Sequence, residues 1–199
     1  MPRYGTRDSA GELADAGDFD LARRAAVGDR RAFAELARRA APLAWSLLRR
    51  MGAQPALADD LTQDTMIAAL RSIATFRGDG SFSSWAMRIA ARLYLQEFRR
   101  SARLQFSAEP LDVETPQETT MSHGTRIDLD NALLDLSPAE RLCVSLCHGA
   151  CYTHEEIAAA LQMPVGTSKS HVSRGIRKLR LRMLGDALGA ETRSEEDDH

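Results

Sequence analysis

The sequence predicts an all-α protein made of two small helical domains joined by a flexible linker, the second domain being a helix-turn-helix. Only 6% of the 199 residues are aromatic, while Ala, Leu and Arg are plentiful, and this composition favours helices over sheets. Apolar residues recur at helical spacing in two separate blocks. Residues 105–127, between the blocks, show no period and contain prolines, a glycine and several Ser and Thr residues, which is typical of a linker.

The same patterns set the expected limits of each part. We expect a disordered N-terminal tail over residues 1–18, a first helical domain over 19–104, the linker over 105–127, a helix-turn-helix domain over 128–184 and an acidic C-terminal tail over 185–199. The start of the chain lacks the apolar core of a signal peptide, and no apolar run reaches the roughly 20 residues of a membrane span. These features predict a cytoplasmic protein without membrane insertion.

The first block begins with two predicted helices. Asp29 is placed to cap the first helix and Gly52 to end it, while Pro55 begins the second. The apolar stripe of the first helix comprises Phe33, Leu36, Ala40, Leu43 and Leu47. On the second helix, the residues expected to face inward are Leu57, Leu61, Ala68 and Leu70, and those expected to face outward are Asp59, Asp60 and Asp64.

The first block ends with a turn and a basic helix. The turn is "FRGDGS", residues 76–81, because two glycines and an Asp interrupt any helix there. Phe82, Trp85, Ile89 and Leu93 form the expected buried stripe of the helix that follows, and Arg88, Arg92, Arg99 and Arg103 fall within a sector of roughly 60°. Trp85 lies at the border of the two faces. A basic ridge edged by an aromatic ring suits a nucleic acid with unstacked bases, although Trp85 could equally be a core residue.

The charge pattern also divides the chain. Residues 23–104 carry 15 basic against 7 acidic side chains, a net +8, and residues 141–184 carry 7 against 2, a net +5. Residues 105–140 carry 1 against 8, a net −7. Two basic blocks separated by an acidic segment indicate two surfaces for a polyanion, the alternative being chance clustering on solvated helices.

The second block has the pattern of a helix-turn-helix. Ser137 with Glu140, and Thr153 with Glu156, form two capping boxes, and "QMPVGT" turns the chain before the last helix. The apolar stripe expected on that last helix is Val172, Ile176, Leu179 and Met183. Its polar positions are Lys169, Ser170, Ser173, Arg174, Arg177 and Lys178. The short side chains at its start permit close approach to a DNA groove.

Two stretches resemble a known family. "EEIAAALQMPVGTSKSHVSRGIRKLR" resembles the C-terminal helix-turn-helix of extracytoplasmic-function sigma factors, the small bacterial relatives of sigma-70, which typically show Glu-Glu-Ile-Ala followed by Pro-x-Gly-Thr-x-Lys-Ser-Arg. "ADDLTQDTMIAALRSIATFRGDGSFSSWAMRIAARLYLQEFRR" resembles the second conserved region of that family, including its acidic start, its Phe-Arg-Gly turn and the Trp before a basic helix. Both matches occur in the family's order and together cover about residues 19–184.

The resemblance implies a function and a set of site residues. Such proteins are not enzymes and need no cofactor; they join core RNA polymerase and give it promoter choice, often in stress responses. The residues implied to contact the clamp of the largest polymerase subunit are Asp60, Gln63 and Asp64. Those implied to read and hold the −10 element are Arg77, Ser81, Trp85, Arg88, Arg92, Arg99 and Arg100. At the −35 element, Lys169, Ser170, His171 and Arg174 are implied to face bases, and Arg177 and Lys178 to hold phosphates.

The resemblance also implies an anti-sigma factor as a partner. A helical segment wedged between the two blocks is expected to cover apolar rims that include Leu70, Leu146 and Leu179. Three positions depart from the family: Ser168 replaces a usual aliphatic residue, His171 a usual Arg and Cys151 a common Gly. The change at His171 puts the base preference at that position in question.

The cysteines leave two interpretations open. Cys143, Cys147 and Cys151 are spaced four residues apart, with His148 and His154 nearby, and so could converge on zinc or act in redox chemistry. Core packing is the alternative, because two of them lie on an apolar stripe. Two rival functions follow from the sequence: a stand-alone helix-turn-helix transcriptional regulator, and a redox-responsive or metal-responsive interaction protein.

Overall fold

The structure, a computed structural model, describes residues 13–105 and 125–196 of the chain. Its described residues form helices and turns without a strand, which confirms the predicted all-α class. The chain divides into two compact units, the first within residues 1–49 and 53–97 and the second within 50–52 and 98–199. The predicted linker lies mostly outside the described residues, and the division falls within a helix rather than at residue 104.

The helices follow one another with short connections. In the first unit and its continuation they are α1 (Asp18–Ala26), α2 (Arg30–Met51), α3 (Pro55–Ser72), a 3-10 turn (Ile73–Thr75) and α4 (Phe82–Gln105). In the second unit they are α5 (Thr125–Leu134), α6 (Pro138–Val144), a π-helical turn (Ser145–Gly149), α7 (His154–Leu161) and α8 (Val165–Glu196). The helix α8 thus continues through most of the acidic segment for which the sequence predicts a tail.

The first helix predicted in the first block begins and ends at the residues that the sequence indicates, Asp29 and Gly52. The carboxylate of Asp29 accepts hydrogen bonds from the backbone N–H groups of Arg31, at 3.0 Å, and Ala32, at 3.1 Å, as an N-cap does. The pKa of Asp29 is lowered, chiefly by the bond from Ala32. Gly52, with φ of 110°, ends α2 in the left-handed region that glycine tolerates.

The core of the first unit is an aromatic and aliphatic cluster around Phe82. The Phe82 side chain is 1% exposed and packs edge-on against Phe33 and Phe76, with ring centroids 6.4 and 5.8 Å apart. The prediction that Leu70 faces inward is wrong, since its side chain is 47% exposed. The buried face of α3 instead consists of Ala58, Leu61, Thr65 and Ala69. Leu70 follows Ala69 by about 100° around the helix, which carries it to the surface.

The prediction of a disordered tail over residues 1–18 is wrong for its last six residues. Leu13 is buried, and the Arg39 guanidinium donates to the backbone carbonyls of Leu13, Ala14 and Ala16 at 2.7–3.1 Å. The same guanidinium forms an ion pair with Asp18 at 3.0 Å. These partners lie 21–26 residues apart in sequence, so no local pattern reveals them.

Asp18 connects α1 to two further helices. One oxygen of its carboxylate accepts from Arg39 on α2, and the other accepts from the backbone N–H of Phe82 at 2.8 Å, at the first residue of α4. Arg39 is held on its other side by Glu35, at 2.8 Å, and Arg38 bonds to the same carboxylate. The bonds from Arg38 and Arg39 lower the pKa of Glu35 to about 2.

The second unit is closed by two capping boxes and a small core. Both predicted boxes, Ser137 with Glu140 and Thr153 with Glu156, are present. Buried residues at the centre of the unit are Ala132, Leu133, Leu136, Val144 and Leu179. Of the stripe predicted on α8, Met183 is 44% exposed, so that part of the prediction is wrong.

We expect Asp18→Ala to lower the free energy of unfolding of the first unit by about 2 kcal/mol, because it removes an ion pair and a helix cap together. Both tryptophans, Trp45 and Trp85, belong to this unit, so their fluorescence during urea unfolding reports its stability. Asp20→Ala, which removes an exposed acid from the same turn of α1, should change stability by less than about 0.5 kcal/mol. Equal losses in the two variants would contradict the connecting role of Asp18.

Candidate nucleic-acid and polymerase surfaces

The second unit contains the predicted helix-turn-helix, formed by α7 and α8. The turn between them begins at Gln162, which adopts the left-handed conformation with φ of 53°, and the Met163 N–H closes it on the Ala158 carbonyl at 3.0 Å. Val172 and Leu179 face the core, as predicted, and Ile176 is half-buried. The geometry leaves the opposite face of α8 open to a partner.

The residues predicted to read the −35 element lie on this open face. Lys169, Ser170, Arg174, Arg177 and Lys178 are exposed, and His171 is half-buried. A shallow concavity of about 420 Å³ is lined by Lys169, Ser170, Ser173 and Arg174. The short serines leave room between the two cations, so that an anionic or polar edge can approach the backbone of α8 closely.

The surroundings of Ser168 account for one departure from the family pattern. Its side chain is fully buried between α7 and α8, where the family usually has an aliphatic residue. A buried hydroxyl needs a hydrogen-bond partner, and His154 supplies a ring nitrogen, Nδ1, at 3.4 Å. The structure therefore matches the polar residue at Ser168 with a second polar residue on α7.

Two of the predicted −35 residues also contact α6, and a third contacts one of these two. Lys178 Nζ lies 2.7 Å from the Glu140 carboxylate on α6, and Arg174 Nε lies 3.8 Å from the same carboxylate. Arg174 Nη2 is 3.3 Å from His171 Nδ1. Sequence patterns identify Glu140 only as the third residue of a capping box, because its partners Arg174 and Lys178 lie 34 and 38 residues further along the chain.

The predicted −10 residues occupy the turn before α4 and one side of that helix. Arg77 and Ser81 are exposed in the turn, and Ser81 Oγ accepts from the Ser84 N–H at 3.1 Å as the cap of α4. Arg88 is half-buried, and the exposed arginines of α4 are Arg92, Arg99 and Arg100. The side chain of Arg103 lies outside the described residues.

Trp85 satisfies both interpretations of its position. Its ring packs 5.6 Å from Phe76 and 5.5 Å from Phe82, centroid to centroid, yet the residue is only half-buried. Trp85 is thus a core residue on its inner edge and a surface residue on its outer edge. The outer edge lies next to the basic side of α4, where an unstacked base could reach it.

Gly78 shapes the turn in front of α4. Its φ of 80° lies in the left-handed region, and a Cβ there would sit 2.8 Å from Cδ2 of Phe19. Any other residue would therefore have to displace the half-exposed Phe19 ring. The glycine lets α1 support the turn that carries Arg77 and Ser81.

The third surface lies on α2 and α3. Asp59, Asp60 and Asp64 are exposed on α3, as predicted, and so is Gln63. Beside them runs an apolar groove of about 430 Å³, lined by Phe33, Ala41, Trp45, Asp59, Thr62, Gln63, Met66, Ile67 and Leu70.

Sequence reasoning named Leu70 as an apolar rim but missed the exposed Trp45 and Ile67 of this surface. Trp45, Ile67 and Leu70 are 37%, 41% and 47% exposed, and Trp45 Nε1 donates to Asp59 at 2.7 Å. A polar tether of this kind holds an exposed Trp ring in one orientation. The available signal was Trp45 itself, a large aromatic outside the predicted stripe of α2. Of the three apolar rims expected for an anti-sigma segment, Leu70 is exposed, but Leu146 and Leu179 are 0% and 6% exposed and cannot be covered by a partner.

The three cysteines run from the core to the surface. Cys143 is buried, Cys147 is half-buried and Cys151 is exposed. Burial raises the pKa of the Cys143 thiol to about 11, and burial followed by the neighbouring Cys151 raises that of Cys147. Within the described residues, no three His, Cys, Asp or Glu side chains converge in a way that could hold a metal ion. Burial thus fits the core interpretation for Cys143.

Comparison with known proteins identifies the family of the chain that carries these surfaces. Residues 36–104 match the family model of sigma-70 region 2, and residues 126–179 match that of sigma-70 region 4. The ECF RNA polymerase sigma factor SigM of Mycobacterium tuberculosis is 33% identical over 168 residues, covering 84% of this chain and 85% of that protein.

The chain belongs to the extracytoplasmic-function sigma factors of the sigma-70 family.

A second relative agrees with this assignment, and a solved structure shares the fold. The ECF RNA polymerase sigma factor SigE of Mycolicibacterium smegmatis is 35% identical over 165 residues, which cover 78% of this sigma factor and 64%, just under two thirds, of that protein. The sigma factor RpoE of Bartonella quintana, solved in complex with the anti-sigma factor NepR, shares the fold with a TM-score of 0.50. It is 23% identical, over 74% of this chain and 91% of that one. Among the described residues of the sigma factor, no helix is long and apolar enough to cross a membrane.

Cys151 generates a prediction about stability. It adopts a φ of 54°, a conformation that disfavours side chains with a Cβ by about 1–2 kcal/mol, at a position where the family often has Gly. Cys151→Gly should therefore raise the free energy of unfolding of the second unit by about 0.5–1 kcal/mol. Amide hydrogen exchange on peptides from α6 to α8 measures this change. Cys151→Ala is the matched control and should give no gain; an equal gain with Ala would show that the thiol, and not the backbone, is unfavourable.

Proposed function

We propose that the sigma factor joins core RNA polymerase in the cytoplasm and directs it to promoters through their −10 and −35 elements, acting as an initiation factor without enzymatic activity. The observation that carries this proposal is the presence of both sigma-70 regions in one chain, in the family's order, each bearing an exposed basic helix. Each basic helix suits a different form of DNA, as the next paragraphs argue.

The helix α8 enters the major groove at the −35 element. Lys169, Ser170, His171 and Arg174 face base edges in this proposal, and their exposure or half-exposure on one face of α8 supports it. Arg177 is exposed and makes no hydrogen bond or ion pair within the described part of the chain, so its charge is available to a phosphate. Lys178, which the resemblance also places at a phosphate, instead forms an ion pair with Glu140.

The turn before α4, together with α4, holds the −10 element. Duplex opening exposes unstacked bases, and the outer edge of Trp85 offers them a ring to stack on. The bases would lie beside the exposed Arg77 and Ser81 of the turn, while the arginines of α4 follow the backbone: Arg88, Arg92, Arg99 and Arg100. In this assignment, α8 binds double-stranded DNA at the −35 element, and α4 binds the separated strand at the −10 element.

The surface of α2 and α3 docks on the clamp of the largest polymerase subunit. Asp60, Gln63 and Asp64 supply polar contacts, and the groove beside them, with the exposed Trp45 and Leu70, supplies apolar area. Interfaces commonly combine an apolar centre with a polar rim in this way. An anti-sigma factor that covers the same groove at Leu70 would exclude the polymerase, which is how we propose that this sigma factor is silenced until stress.

The stand-alone regulator is the weaker alternative, because both sigma-70 regions are present and region 2 has no use in a simple operator-binding protein. A gel shift distinguishes the two. The sigma factor should bind promoter DNA poorly alone and well with core polymerase, whereas a regulator should bind equally in both cases.

The polymerase surface can be tested by substitution. Replacing Asp60, Gln63 and Asp64 together by Ala should weaken binding to core polymerase by at least about tenfold, or about 1.4 kcal/mol, because three exposed polar contacts are lost. Run-off transcription should fall by the same factor at every promoter. The double variant Asp15→Ala with Asp20→Ala, which also removes two exposed acids, is the control for net charge. Unchanged core binding in the triple variant would contradict the assignment of this surface.

The two roles on α8 can be separated by a pair of arginine variants. Arg174→Ala should cost about 1–3 kcal/mol at one position of the −35 element and relax the base preference there, since a base contact carries sequence information. Arg177→Ala should weaken transcription evenly across promoters and reduce the slope of log affinity against log salt by about 1. Run-off transcription on a library of −35 sequences at several salt concentrations measures both effects. Identical promoter rankings in the two variants would show that α8 is not assigned correctly.

A further inference from the structure

A buried carboxylate lies directly behind the DNA-facing side of α8. Glu140, the third residue of α6, is only 5% exposed, and a buried acid is unusual unless it is paired. Its capping box accounts for one contact, the Ser137 N–H at 3.2 Å from Oε2. The remaining contacts come from α8 and have no part in capping.

Two cations of α8 share this carboxylate. Lys178 Nζ donates to Oε2 at 2.7 Å, and Arg174 Nε lies 3.8 Å from Oε1. The bond from Lys178 is the main cause that lowers the pKa of Glu140, so the acid is charged at neutral pH. One buried negative charge therefore faces two cations that are neighbours on α8, at positions i and i+4.

Gly175 makes this arrangement possible. A Cβ on Gly175 would lie 2.6 Å from Val144 Cγ2, 3.5 Å from Leu136 Cδ1 and 3.7 Å from Glu140 Cβ. The backbone of α8 therefore packs directly against the side chains of α6. Because Gly175 sits between Arg174 and Lys178, the close approach brings both side chains within reach of Glu140.

Arg174 is held from a second side. Its Nη2 lies 3.3 Å from Nδ1 of His171, so the guanidinium is placed between a carboxylate and an imidazole while half of its side chain stays exposed. A planar fork that is already oriented loses less conformational freedom when it bonds to a base edge. An arginine that is free to change rotamer would also bond to the base edge, but it would discriminate less strongly between bases.

We propose that Glu140 is a positioning residue for the reading of the −35 element: it orients Arg174 toward its base and engages Lys178 as an anchor rather than as a phosphate contact. This inference rests on the proposed function, since it concerns how α8 reads promoters. It also divides the cations of α8 by role. Arg174 and Lys178 are tied to α6, whereas Lys169 and Arg177 make no hydrogen bond or ion pair within the described residues.

Glu140→Gln is the variant that isolates this role. Gln keeps the shape of the side chain and can occupy the third position of a capping box, so it removes the charge while preserving the helix end. Ser137→Ala is the structural control, because it breaks the capping box and leaves both ion pairs of Glu140. Glu155→Gln removes an exposed acid from α7 and controls for net charge. Thermal unfolding of each full-length variant confirms that it is folded at the assay temperature.

The readout is base preference and not total activity. Each variant is combined with core polymerase and a promoter library that varies the −35 element. Glu140→Gln should reduce by at least about fivefold the ratio of transcripts from the preferred base to those from its competitors at the position that Arg174 reads. Ser137→Ala and Glu155→Gln should leave that ratio unchanged.

Lys178 gives an independent check. Lys178→Arg keeps the charge and should retain the wild-type preference, whereas Lys178→Met should lose overall output by less than about twofold while keeping the wild-type salt slope. The double variant Glu140→Gln with Lys178→Met should be no worse than Glu140→Gln alone, because Glu140→Gln already breaks the pair between Glu140 and Lys178.

Several outcomes would overturn the inference. If Lys178→Met weakened every promoter equally and reduced the salt slope by about 1, Lys178 would be a phosphate contact. If Glu140→Gln kept the wild-type preference, or if Ser137→Ala changed it as much, Glu140 would be merely structural. A wild-type protein that gave no promoter-dependent transcript with core polymerase would overturn the proposed function as well, and the two failures are thereby distinguished.

Discussion

The placement of α4 in the first unit depends on the carboxylate of Asp18. Its two oxygens bond to different helices, one to Arg39 on α2 and the other to the first N–H of α4 at Phe82. The N-terminus of a helix favours a negative charge, so this contact fixes both the position and the direction of α4. The aromatic cluster around Phe82, and with it the half-exposed ring of Trp85, is set by where that helix begins.

The second unit uses a carboxylate in a comparable way. Glu140 joins the first turn of α6 to the middle of α8, and Gly175 allows the two helices to approach closely. In both units, a partly or fully buried acid from one helix holds the basic helix that we propose contacts DNA. An acid in this position is compatible with the proposed DNA binding, because Asp18 and Glu140 are each paired with a cation of the protein itself.

Sequence predicted the features that depend on neighbouring residues. Capping by Asp29 and the two capping boxes involves contacts within three residues, and the helix-turn-helix follows from spacing along one helix. Contacts between distant segments were not accessible: Phe82 lies 64 residues from Asp18. The side of a helix was also misjudged near its end, since Leu70 occupies an apolar position in the sequence but points past the core. Its exposure belongs to a groove that periodicity alone cannot reveal, because the groove depends on where α2 lies beside α3.

Net charge is an incomplete guide to the surfaces that we propose contact DNA. In the first block, arginines of α1 and α2 are engaged within the protein: Arg24 with Asp29, Arg38 with Glu35 and Arg39 with Glu35 and Asp18. These ion pairs engage Asp18 and Glu35, which are most of the acidic side chains of α1 and α2. The helix α4 carries five arginines and one glutamate, and α2 carries six arginines and one glutamate, so the count alone does not distinguish the two helices. Which charges face a polyanion therefore depends on exposure and pairing as well as on the total, and Arg77 and Arg92 are exposed in the turn and on the helix proposed to hold the −10 element.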